Sequence, residues 1–325
     1  MKNKPIGGYF ELELAEEKAH LYPEALKFQS SRASFYALLK SGMPDRVWVP
    51  RYICDSMLLP IQALSIPIQF YDLTEDLKVN ESVVLKEGDW IVYVNYFGVC
   101  AKQENDLLKR FNPAQVIFDH SQAFFAPPLK CLATIYSPRK FFGVPDGGYL
   151  MTNIAINEPV EADSQVQSRC EHLLLRLDSH IQQGYKAFNK SEESFNDVQP
   201  YKMAKLTTRL LTSIDYKTIK NKRNHNFLWL HERLRHLNLF KLNVPLVDGP
   251  LCYPLLIENS EIKMQLLKKR IFIATYWKEV QKRVEVNSKE YFFVENMLPI
   301  PCDQRYNEKD MSFIVDSILK IINQK

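Results

Sequence analysis

Two residues whose side chains could act in one reaction lie 21 positions apart in the sequence, and each follows a short apolar run. Asp119 follows the predicted strand Gln115–Phe118, and Lys140 follows the predicted strand Ala133–Tyr136 and Pro138. The aspartate is either a turn or cap residue or a buried anion that holds a cationic ligand atom, such as a protonated pyridine nitrogen. The lysine is either a solvated surface residue or an amine whose pKa is lowered by its aromatic setting, which suits Schiff-base chemistry.

A possible anion site precedes both residues. A predicted helix begins with Ser30, Ser31 and Arg32. Either a serine simply caps this helix, or the hydroxyl groups, the backbone N–H groups and the guanidinium together bind a phosphate. The pair Gly147-Gly148 indicates a turn or a close backbone approach. A phosphorylated pyridine needs an anion site, an aspartate and a lysine at neighbouring strand ends, so the three features together favour such a ligand.

Other catalytic patterns are missing from the sequence. The seven histidines have neither the H-x-x-x-H nor the H-E-x-x-H spacing, so we expect no metal site. The sequence contains no P-loop, no G-x-G-x-x-G and no G-x-S-x-G. His120, beside Asp119, either packs over a ligand ring or has a structural role.

The elements that position these residues alternate between strand and helix. Short apolar runs typical of strands covered on both faces are separated by amphipathic stretches, which predicts an α/β fold with a mostly parallel, doubly wound sheet. Ligands of such sheets bind at the carboxyl ends of the strands. The predicted strands are Arg46–Val49, Pro67–Tyr71, Trp90–Val94, Gln115–Phe118, Ala133–Tyr136 and Tyr149–Thr152, and the predicted helices are Arg32–Lys40, Ile53–Ala63 and Glu104–Phe111.

The second half of the chain predicts a different organisation. A helix around Ser168–Gln182, a loop over residues 191–200 and one long amphipathic helix over residues 205–237 lead into a smaller α+β domain. We therefore expect a large domain over residues 1–237 and a small domain over residues 238–325. The small domain is predicted from the strands Leu251–Ile257 and Phe272–Ala274 and the helices Glu261–Lys269 and Lys309–Ile322.

Composition narrows the class of protein. The 325 residues are 46% hydrophobic and 25% charged, which is typical of globular chains, and the net charge of +4 is spread along the sequence. We expect neither a nucleic acid nor a membrane as partner, because no basic block and no apolar run of spanning length occurs. Six dispersed cysteines and an acidic start predict a cytoplasmic protein with reduced thiols.

The motifs resemble those of the DegT/StrS group of sugar aminotransferases, which depend on pyridoxal 5'-phosphate (PLP) and have the aspartate-aminotransferase fold, fold type I. The family's D-x-x-Q-A segment appears as Asp119 to Ala123, and its lysine, acid and two glycines appear as Lys140, Asp146, Gly147 and Gly148. The segments VPRY (49–52), VNYFG (94–98), YKM (201–203) and LPIP (298–301) occur in the same order as in the family, so the resemblance spans nearly the whole chain.

This resemblance implies roles for seven residues. Lys140 would form a Schiff base with PLP, Asp119 would pair with the pyridine nitrogen, and Gln122 would lie near the phenolic oxygen. The phosphate would be held by Ser31 and Arg32, with Ser137 as a replacement contact, and Tyr52 would stack on the ring. The family also implies a homodimer that transfers an amino group from glutamate to a nucleotide-linked keto-sugar, in amino-sugar or surface-polysaccharide synthesis.

Three departures from the family pattern keep other functions open. Ile135 stands where the family has a phosphate-binding serine, Pro200 stands where it has an asparagine that reaches the partner subunit, and the chain is short for the family. A dehydratase or other amino-group chemistry would keep Lys140 and PLP. A non-catalytic descendant with a binding or regulatory role is motivated by Ile135 and Pro200.

Overall fold

A seven-stranded sheet forms the centre of the computed structural model, which describes residues 6–16, 18–259 and 261–323. The strand order is β1-β7-β6-β5-β4-β2-β3. Strands β2 to β6 run parallel, and β7 pairs antiparallel with both β6 and β1. The strands are β1 (Leu26–Phe28), β2 (Arg46–Pro50), β3 (Ile68–Tyr71), β4 (Asp89–Val94), β5 (Val116–His120), β6 (Ala133–Tyr136) and β7 (Gly148–Thr152).

The predicted α/β fold with a mostly parallel sheet is confirmed. Every residue of β4, β5 and β6 is buried, as expected for continuous apolar runs covered on both faces. All six predicted strands of this sheet are present within one or two residues of their expected ends. The sequence prediction lacked only β1, which has three residues and too little sequence to show a pattern.

Three helices connect the strands of the first half. They are α1 (Ser31–Gly42), α2 (Asp55–Ala63) and α3 (Ala101–Arg110), close to the predicted bounds. The hydroxyl of Ser30 caps α1 by accepting a hydrogen bond from the backbone N–H of Ala33 at 3.1 Å. A 3-10 turn follows β4 (Tyr96–Gly98), and another follows β6 (Pro138–Lys140).

The helices between the sheet and the C-terminal part differ from the prediction. The helix expected around Ser168–Gln182 ends earlier, as α4 (Val166–Leu177), because Ser179 adopts a left-handed backbone conformation (φ 65°). A second helix, α5 (Ile181–Glu193), then extends into the predicted loop.

The single long helix predicted over residues 205–237 is wrong. This segment instead contains two helices, α6 (Lys205–Thr212) and α7 (Tyr216–Leu234). The carboxylate of Asp215 accepts a hydrogen bond from the backbone N–H of Thr218 at 3.1 Å and caps α7. A local cap therefore outweighs the continuous amphipathic pattern.

The C-terminal part forms a small α+β unit. Strands β8 (Cys252–Leu256) and β9 (Met297–Pro301) pair antiparallel, and the helices are α8 (Ile262–Lys268), α9 (Lys289–Asn296) and α10 (Glu308–Asn323). The strand predicted at Phe272–Ala274 is wrong, since that segment pairs with no strand among the described residues. The domain boundary between residues 237 and 238 stays a prediction. Of the helices in the described ranges, none is long and apolar enough to cross a membrane.

Candidate functional site

The carboxyl ends of β4, β5 and β6 meet at one edge of the sheet, where Asp119 lies. Its register partners are Val94 on β4 and Ile135 on β6. The side chain is only 4% exposed, and Oδ1 accepts a hydrogen bond from the backbone N–H of Ser121 at 2.8 Å. Oδ2 accepts no hydrogen bond from the part of the chain that the structure describes. One oxygen of a buried carboxylate is therefore available to a cationic ligand atom.

Gln122 lies in the turn that follows β5 and has an unsatisfied donor. Its Oε1 accepts a hydrogen bond from the backbone N–H of Phe97 at 2.8 Å, which fixes the amide orientation. Its Nε2 is buried and has no hydrogen-bond partner among the described residues. An unpaired buried donor costs about 1–3 kcal/mol, so a ligand oxygen at this point would restore that energy.

The backbone next to Gln122 is strained. Phe97 is fully buried and adopts a left-handed conformation with φ 59° and ψ 2°. Non-glycine residues held in this region cost about 1–3 kcal/mol and occur preferentially at functional sites.

Lys140 ends the 3-10 turn after β6, four residues beyond Tyr136, the register partner of His120. Its side chain is exposed in the single chain. Phe141 and Phe142 are instead buried in an aromatic cluster with Phe124. The expected aromatic enclosure of the Lys140 amine is therefore wrong for the single chain, because the two neighbouring rings pack into the protein interior. The amine is open to an incoming carbonyl compound.

Ser31 is the first residue of α1 and lies against the start of β7. A Cβ atom on Gly148 would lie 2.2 Å from the carbonyl carbon of Ser30 and 2.3 Å from the backbone nitrogen of Ser31. Ser30 also forms a β-bridge with Gly147. The two glycines thus allow a close approach of the backbone to the start of α1, rather than the approach to a ligand or the hairpin that the sequence suggested, and they bring the first N–H groups of α1 to the Lys140 side of the sheet.

Arg32 points toward the segment after α5. Its Nη1 donates hydrogen bonds to the carbonyl of Phe195 at 2.7 Å and to Oδ1 of Asn196 at 3.3 Å. Burial lowers the pKa of this guanidinium from its ordinary value, and the charge of Arg139 adds to that effect. The structure therefore gives Arg32 a second role, which is to hold the segment after α5 against α1.

The positions that depart from the family pattern are structural here. Ile135 is fully buried in the centre of β6, between Asp119 and Leu150 in register. Ser137 is buried just after this strand, and its hydroxyl does not cap the following turn. Pro200 is half-buried and precedes Tyr201, whose backbone N–H donates to Gln29 Oε1 at 2.8 Å.

Tyr52 does not have the placement that its predicted role requires. Its side chain is only 1% exposed and lies among three other rings, with centroid distances of 5.5 Å to Tyr96, 4.7 Å to Trp277 and 5.6 Å to Phe293. Burial raises the pKa of its hydroxyl well above the usual range. The structure thus contradicts a stacking role for this ring, because aromatic residues from the C-terminal part already cover it.

A buried polar pair on the opposite face of β5 was not assigned by the sequence. His120 Nε2 lies 2.6 Å from Glu104 Oε1, and Asn95 Nδ2 donates to Glu104 Oε2 at 2.9 Å. Side chains alternate along a strand, so His120 faces away from Asp119. This favours the structural role among the two considered for His120, namely anchoring α3 to the sheet. The sequence carries no spacing signal for this pair.

Asp146 also has a partner that the sequence did not reveal. Its Oδ1 accepts a short hydrogen bond from the Thr207 hydroxyl, and its Oδ2 accepts one from the backbone N–H of Ala204 at 3.1 Å. Burial is the main cause that raises its pKa to about 6. This carboxylate holds the start of α6 against the turn that contains Gly147.

The comparisons with known proteins give many solved structures of one fold. An aminotransferase from Brucella abortus described as DegT DnrJ EryC1 StrS is 17% identical, with a TM-score of 0.62 over 91% of this chain and 85% of that one. Helicobacter pylori PseC, an aminotransferase of pseudoaminic acid biosynthesis, is 15% identical, with a TM-score of 0.63 over 93% and 87%. NtdA from Bacillus subtilis, solved with bound cofactor PMP, is 12% identical, with a TM-score of 0.65 over 92% and 73%.

No protein-family model and no curated protein sequence matches the chain. Identities of 12–17% establish the architecture alone. The chain therefore has the fold of the PLP-dependent sugar aminotransferases.

Proposed function

We propose that this protein is a PLP-dependent aminotransferase of the DegT/StrS type. The observation that carries the proposal is a pair of unused polar atoms at one sheet edge, Oδ2 of the buried residue Asp119 and the buried Nε2 of Gln122, next to the strand that leads to Lys140. A free acceptor and a free donor match the protonated nitrogen and the phenolic oxygen of a pyridine ring. The fold supports the same reading, because sugar aminotransferases have it.

The residues present fit this cofactor in named positions. Asp119 Oδ2 would hold the pyridine N–H, and Gln122 Nε2 would donate to the phenolic oxygen. The first N–H groups of α1 with Ser31 would bind the phosphate, and Arg32 and Ser137 are its further candidate contacts. When bound, PLP supplies the electron sink that stabilises a carbanion at the substrate.

Lys140 has two tasks in this proposal. Its side chain, which is exposed in the single chain, would hold the cofactor through the amine, and the freed amine would act as the base that takes the proton from the donor's α-carbon. General-base help from a positioned amine contributes about 10²–10⁴-fold to the rate. Asp119 would favour the protonated form of the pyridine nitrogen, since a buried carboxylate stabilises a cation beside it.

The resemblance supplies the finer parts of the proposal. Glutamate is the amino donor and a nucleotide-linked keto-sugar is the acceptor, in amino-sugar or surface-polysaccharide synthesis. We also propose a cytoplasmic homodimer, with residues 1–237 as the cofactor-binding domain and residues 238–325 as the small domain. The exposure of Lys140 in the single chain is compatible with a site that a second subunit completes.

Amino transfer itself tests the proposed function. Purified protein with PLP and glutamate is offered a panel of nucleotide-linked keto-sugars, and amino-sugar products are detected by mass spectrometry. We expect 2-oxoglutarate and one amino-sugar in equal amounts, and neither product with Lys140→Ala. A dehydrated sugar instead of an amino-sugar would indicate the dehydratase alternative.

A non-catalytic protein of the same fold is the second candidate. Ile135 favours this candidate, because a buried aliphatic side chain stands where the family pattern has a serine whose hydroxyl binds the phosphate. Titration with PLP distinguishes the two, since a non-catalytic descendant would leave the visible spectrum of PLP unchanged.

A further inference from the structure

Arg223, in the middle of α7, is a fully buried cation. Its side chain is 1% exposed, and it forms no salt bridge with any residue in the described ranges. The other fully buried arginine, Arg169, is paired with Asp163 at 2.6 Å. Burying an unpaired charge costs several kcal/mol, so its contacts have to compensate for that energy.

The guanidinium of Arg223 is held by carbonyl groups and one ring. Nη1 donates to the carbonyls of Pro250 at 2.9 Å and Leu251 at 3.2 Å, and Nη2 donates to the carbonyl of Phe141 at 3.4 Å. Its central carbon lies 4.6 Å from the centroid of the Phe141 ring. Its Nε is buried without a partner among the described residues. Burial lowers the pKa of this guanidinium, whereas Asp303 nearby raises it.

These contacts place Arg223 directly behind Lys140. Phe141 is the residue after the lysine, and its carbonyl also accepts a hydrogen bond from Gln304 Nε2 at 2.9 Å. The Lys140 turn is therefore fixed from behind by two side chains of the second half of the chain.

The same guanidinium reaches Gln122 through two backbone segments. The backbone N–H of Leu251 donates to the carbonyl of Phe97 at 2.8 Å, and the N–H of Phe97 donates to Gln122 Oε1 at 2.8 Å. The packing is tight, since a Cβ on Gly98 would lie 2.9 Å from the carbonyl oxygen of Gln122. One continuous set of hydrogen bonds thus joins the Lys140 turn, Arg223 and the Gln122 amide.

We propose that Arg223 is a positioning residue that sets the placement of Lys140 relative to Gln122 and so aligns the amine with the cofactor ring. This inference rests on the proposed function, because it concerns the same site. Arg223 touches neither substrate nor cofactor in this arrangement. It acts through the Phe141 carbonyl on one side and through Leu251 and Phe97 on the other.

The test replaces Arg223 by methionine, which fills the space without the charge or the donors. We expect R223M to fold with a lower melting temperature, because the carbonyls of Pro250, Leu251 and Phe141 each lose a donor. The dissociation constant for PLP should rise about tenfold, as for the loss of one charge-assisted hydrogen bond. The pH midpoint of the visible absorbance of the Lys140-linked cofactor should also shift, which a purely structural role would not cause.

Arg223→Lys keeps the charge but cannot span three carbonyls, so we expect an intermediate dissociation constant. It also serves as the reporting variant if R223M does not fold. The matched control is Asn226→Leu, one turn further along α7, whose Nδ2 donates to the carbonyls of Cys302, Asp303 and Tyr306 at 3.2 Å each. It should lower the melting temperature without changing PLP affinity or the pH midpoint.

The outcomes separate this inference from the proposed function. Wild-type protein that binds PLP, together with R223M and R223K of unchanged affinity and pH midpoint, would overturn the inference alone. An Asn226→Leu variant that weakens PLP binding as strongly as R223M would also overturn it, because the effect would then be general destabilisation. Wild-type protein that takes up no PLP would contradict the proposed function itself, and with it the inference.

Discussion

The three central residues of the candidate site differ in how firmly the protein holds them. Asp119 and Gln122 are buried and fixed by backbone N–H groups of Ser121 and Phe97, whereas Lys140 is exposed. An acid and an amide that are fixed before the ligand arrives cost no ordering energy on binding. The exposed amine can move, which suits a residue that has to leave and rejoin the cofactor.

Replacing Asp119 by asparagine tests the role of the carboxylate. Oδ1 of the asparagine can still accept the Ser121 N–H, so we expect a free energy of unfolding within about 1 kcal/mol of wild type. The amide donor in place of Oδ2 cannot hold a protonated nitrogen, and kcat for amino transfer should fall about 10²–10³-fold. Steady-state kinetics and thermal unfolding measure the two effects. Full activity of D119N would show that Asp119 is only a turn residue.

A pH-dependent contribution to stability is expected from Asp146. Its pKa is raised to about 6 from the usual 3.8 by burial, so the folded state binds the proton more tightly than the unfolded state. Its stabilising contribution is complete below pH 3.8 and is lost as the pH rises through about 6. The Thr207 hydroxyl opposes this loss because it lowers the pKa.

Thr207→Val should therefore destabilise the protein by about 1–2 kcal/mol near neutral pH and by less near pH 5. Urea unfolding at the two pH values measures the difference. The matched control is Thr208→Val, which loses only a hydrogen bond to the Ala204 carbonyl at 3.2 Å and should show no such pH dependence. Equal losses for both variants at both pH values would contradict the role of Asp146.

At the scale of elements, the central sheet could be predicted because its strands are continuous apolar runs. The break before Tyr216 could not, because one side-chain cap at Asp215 outweighs a pattern that extends across it. The position of Asp119 at the carboxyl end of a buried strand was predictable from the apolar run before it, whereas a role for Gln122 came only from the family resemblance. The burial of Tyr52 was not, because Trp277 and Phe293, more than 200 residues away in sequence, cover it.

The contact between β7 and α1 gives a prediction at this scale. A side chain at Gly148 would meet the backbone of Ser30 and Ser31 at 2.2–2.3 Å, so either β7 or the start of α1 has to move. We expect Gly148→Ala to lower the free energy of unfolding by about 2–4 kcal/mol and to weaken PLP binding.

Gly143→Ala is the matched control for this substitution. Its new Cβ would meet only Leu173 Cδ2, at 3.6 Å, so stability and PLP affinity should stay near the wild-type values. Urea unfolding and PLP titration of both variants measure the effect. A Gly148→Ala variant that binds PLP as tightly as wild type would show that the start of α1 does not bind the phosphate.

At the scale of the whole molecule, the C-terminal part is tied to the sheet around the site. Arg283 Nη1 lies 2.6 Å from Asp55 Oδ1, and Glu290 Oε1 accepts a hydrogen bond from the backbone N–H of Leu73 at 2.8 Å. Arg223 adds the contact behind Lys140. The second half of the chain therefore helps to shape the candidate site, whose proposed groups Asp119, Gln122 and Lys140 lie in the first half.

The central claim is that the amine of Lys140 attaches to PLP at this sheet edge. Borohydride reduction of the PLP-treated protein, followed by peptide mass spectrometry, tests it most directly. We expect one pyridoxyl group per chain, on Lys140, and loss of the visible chromophore in Lys140→Ala. Pyridoxyl groups spread over several surface lysines, or the same amount of pyridoxyl group on the Lys140→Ala variant, would contradict the claim.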